Sequence, residues 1–180
     1  MTDERFGGAL WTALRRLPPG SGVVFRHYSL LPGERVALFR EVRRRARARG
    51  CVVLSARGLL PGADGVHGPG PGRGLRSWPA HDRGDAQTGV KAGAGLLFVS
   101  PVFATRSHPG AAALGPGRAA RIGQGLPVWK VALGGMDARR FRRLRALGFD
   151  GWAGIDAWGA RGAAAKPPFD CLPRQALRTS

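Results

Sequence analysis

The sequence predicts an α/β protein, a compact (β/α)8 TIM barrel with a truncated first strand and rudimentary third and fourth helices. Three observations carry this reading. Short apolar runs alternate with amphipathic helical stretches, the pattern of parallel strands joined by crossover helices. Seven or eight such runs occur in one rhythm along 180 residues. Hydrophobic residues make up 43% of the chain and charged residues 22%, which supports a packed core rather than disorder. An open parallel sheet is the structural alternative.

Met1-Thr-Asp3 is the stump of a first strand. Phe6, Leu10, Ala13, Leu14 and Leu17 recur near a 3.6 period and predict a helix over 6–17, ended by Pro18-Pro19-Gly20. Gly22-Val-Val-Phe25 follows as a strand. A helix over 32–49 starts on Pro32 and stops at Gly50, with Val36, Leu38, Phe39 and Val42 inward. Cys51 to Leu54 and Gly65 to His67 read as strands, and a weak strand spans 75–79. Residues 56–64 leave room for only a vestige of a helix, and 68–76 are a Gly/Pro loop. Helices are expected over 82–92, 116–124 and 138–147, the last with Asp137 as N-cap and Gly148 after it. Strands are expected over 96–99, 128–132 and 151–155. The expected barrel covers 1–158, and 159–180 is a flexible Gly/Ala/Pro-rich tail.

The formal net charge is +18, carried almost wholly by arginine. Two runs, Arg40 to Arg49 and Arg139 to Arg145, fall on outer helix faces and read as solvated. Stacking aromatics are not interleaved with them, so nucleic acid is not the expected partner. No apolar run reaches the roughly 20 residues that span a bilayer, and no signal-like stretch opens the chain. Cys51 and Cys171 have no metal-ligand spacing, so the cytoplasm is the expected location. The oligomeric state is left open.

Barrel ligands bind in the loops after the strands. That rule selects Arg26, His27 and Tyr28, then Arg57, His67, His81 and Asp82, then Thr105, Arg106, Ser107 and His108, then Gly134 and Gly135, and last Asp156. A Gly-Gly pair before a helix lets backbone N–H groups approach an anion; a tight turn is the bland alternative. Thr105 and Ser107 are hydroxyls suited to phosphate, or to local turn bonds. His81 is a candidate general acid/base, or a turn residue beside the N-cap Asp82. His67 reads as a core histidine and Tyr28 as a packing residue.

At these loops the chain resembles the thiamine phosphate synthases and their close relatives, the thiazole tautomerases. Gly62-Ala-Asp-Gly-Val-His67, Ala80-His81-Asp82, the long stretch Gly93 to Pro109, Val131-Ala-Leu-Gly-Gly-Met136 and Gly148 to Ile155 are similar to their motifs, in order, over about residues 1–158. The resemblance implies a (β/α)8 barrel that joins an aminopyrimidine pyrophosphate to a thiazole phosphate, or isomerises the thiazole with a histidine shuttle. It implies a small phosphorylated ligand as partner and His81 as the catalytic residue. Arg26, Thr105, Ser107, His108, Gly134, Gly135 and Asp156 would then line the phosphate and substrate sites. His108 stands where that family has a lysine, Tyr28 also replaces a lysine, and Asp156 replaces a serine. Mg²⁺ is implied by the family. Both matching aspartates are absent, one at Ser55-Ala56-Arg57 and one within Gly68 to Gly72, so no metal ligand is assigned from this sequence.

Overall fold

The computed structural model describes residues 1–105, 110 and 112–158. They form two compact units: Met1–Leu75 with Trp158, and Arg76–Ala157. The expected 159–180 tail lies outside the described residues.

The first unit contains α1 (Ala9–Arg16), β1 (Gly22–Phe25), α2 (Pro32–Arg47), β2 (Val52–Ala56) and β3 (Gly65–His67). The strands pair parallel in chain order, Phe25 beside Ser55 and Ala56 beside His67. Pro32 opens α2, and the Glu34 side chain reaches back to the Leu31 N–H at 3.2 Å. Val23, Phe25 and Val53 from the strands pack on Leu10, Leu14, Phe39 and Val42 from the two helices, with Trp158 at the margin. Phe39 and Val42 are fully buried, and each such side chain contributes roughly 1.5–3 kcal/mol.

The second unit contains β4 (Leu75–Ala80), α3 (Arg83–Lys91), β5 (Leu96–Val99), α4 (Pro116–Ile122), β6 (Trp129–Ala132), α5 (Ala138–Arg145) and β7 (Gly151–Trp152). Its strands are also parallel and in chain order. All four residues of β5 are buried, as expected of a strand covered on both faces. Asp82 and Asp137 cap α3 and α5 by accepting the N–H of Asp85 and Arg140.

Of the seven or eight strands expected, the described residues form seven, with five α-helices. The stump of a first strand is one backbone bond, Thr2 N–H to the Val24 carbonyl at 2.8 Å. No third-helix vestige forms over 57–64. The Ser55 hydroxyl instead donates to the Gly58 carbonyl at 2.7 Å and accepts from the Leu60 N–H at 3.1 Å, which makes a turn of the segment. Residues 68–74 have no helix either, since their glycines and prolines favour turns. No helix of the described residues is long and apolar enough to cross a membrane.

Candidate functional site

Each unit presents polar side chains just after its strands. In the first unit, Arg26 to Ser29 follow β1. The Arg26 N–H donates to the Thr2 hydroxyl at 2.9 Å, and that hydroxyl also meets His27 Nδ1 at 3.2 Å. Arg35, from α2, donates to the His27 carbonyl at 2.8 Å and to the Ala56 carbonyl at 2.6 Å. One guanidinium thus ties the end of β1 to the end of β2, a role the sequence alone does not signal. Glu4 accepts from the Tyr28 and Ser29 N–H groups. An open cavity of about 420 Å³ lies here, lined by Thr2, Asp3, Glu4, Arg26, Tyr28 and others.

The charges in this unit respond to one another. The Arg5 guanidinium holds the Asp3 carboxyl below its ordinary range, and hydrogen bonds from Ser29 do the same for Glu4. Burial pushes His67 down to about 4, helped by the positive charges of Arg26 and the chain's amino group. His67 is therefore neutral at pH 7, half-buried at the end of β3. Burial lowers His27 as well.

In the second unit, the loop after β5 is sewn to the turn after β6. Val102 N–H donates to the Leu133 carbonyl at 2.8 Å, and Phe103 N–H to the Gly134 carbonyl at 3.1 Å. Gly134 and Gly135 have φ of 94° and 59°. A Cβ on Gly134 would stand 2.8 Å from Pro101 Cα, and one on Gly135 would stand 2.5 Å from the Ala104 carbonyl oxygen. Both positions therefore require glycine. The two carbonyls of the pair are occupied, by Phe103 and by the Arg140 guanidinium. The N–H groups of Gly135 and Met136 point oppositely to those carbonyls and meet no partner among the described residues. Two adjacent N–H groups so placed can receive an anion.

His81 stands at the end of β4. Its Nδ1 lies 2.8 Å from the Ser100 carbonyl, at the start of the same β5 loop. A carbonyl only accepts, so Nδ1 carries the proton and Nε2 keeps a free lone pair. The His81 backbone N–H donates to Asp85 at 2.9 Å, which fixes the turn. The structure thus brings His81 and the glycine pair to opposite ends of the segment 100–103. Thr105 continues that loop, and Asp156 opens a short 3-10 helix after β7. Ser107 and His108 lie outside the described residues. Arg140 belongs to the run Arg139 to Arg145 that the sequence reads only as solvated. Its guanidinium lies 4.8 Å over the Phe103 ring.

The residues present do not fit a Mg²⁺ site. Asp64 accepts from the Val53 N–H at 2.7 Å, and Asp150 from the Lys130 N–H at 2.7 Å. Asp82 and Asp137 are helix caps, and Asp3 is bound by Arg5. Among the described residues no three His, Cys, Asp or Glu side chains converge as metal ligands.

Residues 77–158, nearly the whole second unit, match the family model described as thiamine monophosphate synthase. The match covers a little under half of the chain. No curated protein sequence matches the chain. Among solved structures, a thiamine phosphate pyrophosphorylase from Pyrococcus furiosus is similar, with 22% identity and a TM-score of 0.75, covering 91% of this chain and 87% of that one. A structure described as native KDPGal is similar at 14% identity and a TM-score of 0.57, covering 90% and 82%. At these identities the likeness is one of fold.

Proposed function

We propose that this chain acts in thiamine biosynthesis on a phosphorylated thiazole, isomerising it by proton transfer through His81. The observation that supports this most is the Nδ1–H bond of His81 to the Ser100 carbonyl. It fixes the tautomer that leaves Nε2 as a base. Nε2 takes a proton from a ring carbon and returns it at another position of the same ring. The phosphate is held by the N–H groups of Gly135 and Met136, with Thr105 contributing from the β5 loop. Asp156 flanks the substrate from the loop after β7. In this reading the fold is a reduced (β/α)8 barrel in which the Thr2–Val24 bond replaces the first strand.

The coupling of an aminopyrimidine pyrophosphate to the thiazole is the second reading of the family match. It needs a charge partner for the leaving pyrophosphate, and no carboxylate set for Mg²⁺ supports one. Growth of strains lacking either the isomerase or the synthase, supplied with this gene and no thiamine, separates the two. Rescue of the isomerase strain alone is expected. Rescue of the synthase strain would favour coupling. Rescue of neither, with thiamine phosphate still raising the melting temperature, would favour a non-catalytic binder.

A further inference from the structure

The thiazole reading leaves the outer helix face of the second unit unused. Five of the eight residues of α5 are arginines. Phe141 and Leu144 are buried, while Arg139, Arg142, Arg143 and Arg145 are exposed. These four have no hydrogen bond or ion pair among the described residues; the fifth, Arg140, is engaged by the Gly135 carbonyl and the Phe103 ring. On α4, Arg118 and Arg121 are exposed and equally without a partner among the described residues. β5, β6 and β7 are parallel neighbours, so the crossover helices α4 and α5 lie on one side of them. A Cβ on Gly123, the C-cap of α4, would stand 2.7 Å from Lys130 Cδ, and one on Gly148, just past α5, would stand 3.2 Å from Lys130 Nζ. The Lys130 side chain thus lies between the ends of the two helices and makes their arginines one basic surface.

This arrangement works against helix stability. Arg139 has Arg142 and Arg143 at i+3 and i+4, and Arg142 has Arg145 at i+3; like charges so spaced are destabilising. Arg139 also stands in the first turn of α5, where a cation opposes the helix dipole, and that turn holds no acid. The arginines of α2 are used differently. Arg44 and Arg45 pair with Glu41, and Arg47 with Asp64. The acids flanking α5 are committed to backbone, Asp137 to the Arg140 N–H and Asp150 to the Lys130 N–H. Composition explains an arginine-rich chain, but not a helix face whose cations lack the internal partners found on α2.

We propose that this face of α4 and α5 docks the phosphodiester backbone of a nucleic acid duplex without reading its sequence. A guanidinium matches a phosphate bidentately. Arg139 to Arg145 span about 9 Å of helix axis, over which one strand of a duplex presents about three phosphates. No aromatic ring of α4 or α5 is exposed, so unpaired bases find nothing to stack on. That absence argues against single strands and leaves a duplex backbone as the fitting polyanion. The arginines and Lys130 offer only donors, so they select neither base nor sugar. A lipid surface fits less well, because the apolar residues of α5 are buried and cannot insert.

The test is fluorescence anisotropy of a dye-tagged DNA duplex titrated with the full chain. The wild type is expected to bind, and the logarithm of its affinity should fall against that of salt concentration with a slope of about −3. Arg139→Gln, Arg142→Gln and Arg143→Gln combined should weaken binding at least about tenfold and flatten the slope by about 2. The melting temperature of this variant should be no lower than that of the wild type, because like charges are removed. Should it melt early, Arg139→Gln with Arg143→Gln serves as the second variant. Arg15→Gln, Arg40→Gln and Arg44→Gln combined remove the same charge from exposed positions of the first unit and should bind within about threefold of the wild type. An RNA duplex should bind within about threefold of the DNA duplex, and oligo(dT) at least about fivefold more weakly. Phosphatidylserine vesicles should retain the wild type and the α5 variant alike. No duplex binding, equal loss in the α5 and first-unit variants, a preference above about tenfold between DNA and RNA duplexes, equal binding of oligo(dT), or vesicle binding that only the α5 variant loses would each overturn the proposal. None of these substitutions touches His81 or the glycine pair, so the thiazole reading stands or falls separately.

Discussion

His81 and His67 differ in surroundings, and the difference decides what each does. His81 is exposed at the end of β4 with one nitrogen tied to a carbonyl. Replacing it by alanine should lower isomerisation by about 10²–10⁴-fold with the melting temperature unchanged, which a rate assay and a melting curve check together. His67 lies against Arg26, and its folded pKa of about 4 is below the unfolded value of 6.5. Between those values the unfolded chain binds the extra proton, so stability falls as pH drops from about 6.5 to 4. This histidine contributes about 2–3 kcal/mol to that fall. Urea melts of His67→Gln should show a flatter pH profile over that window; an unchanged profile would remove His67 as the cause. Both histidines were legible as residues of interest. The partner carbonyl of His81 and the lowered titration of His67 were not, because they are properties of the fold rather than of spacing.

At the scale of elements, the turn Gly134-Gly135 was legible in the sequence and its sewing to the β5 loop was not. Gly135→Ala meets both a positive φ and the Ala104 carbonyl at 2.5 Å. It should abolish protection by thiamine phosphate in a thermal shift assay, and a normal shift would contradict the anion concavity. Asp137→Ala removes the N-cap of α5 and should cost about 1 kcal/mol, seen as a fall in melting temperature of about 2–4 °C. The helix starts were readable because Pro32, Asp82, Asp137 and Pro116 are local signals. The lost third helix was not, because one hydroxyl, Ser55, captures the segment from inside a strand. The arginine faces were expected to be solvated throughout. Arg44 and the arginines of α5 are exposed, but Arg45 covers the Trp11 ring at 4.3 Å and Arg49 donates to the Leu17 carbonyl at 2.8 Å. Long arginine stems pack as well as charge a surface.

For the molecule as a whole, the alternation of strand and helix was readable because parallel strands are continuous apolar runs. The family was readable because its motifs sit in the loops after those strands. What composition concealed is electrostatic. A net charge of +18 repels itself, and the ion pairs among the described residues, such as Arg44–Glu41 and Arg47–Asp64, join side chains that are at least partly exposed. Exposed pairs are worth little, so self-repulsion dominates. Raising salt from about 0.05 to 0.3 M should therefore raise the melting temperature, and a decrease would mean that ion pairing dominates. The central claim is that His81 moves a proton on a phosphorylated thiazole without a metal. Proton NMR of thiazole phosphate in D2O with EDTA tests it most directly. The wild type should exchange the ring-carbon proton for deuterium and His81→Ala should do so at least a hundredfold more slowly; no exchange by the wild type, or equal exchange by both, would contradict the account.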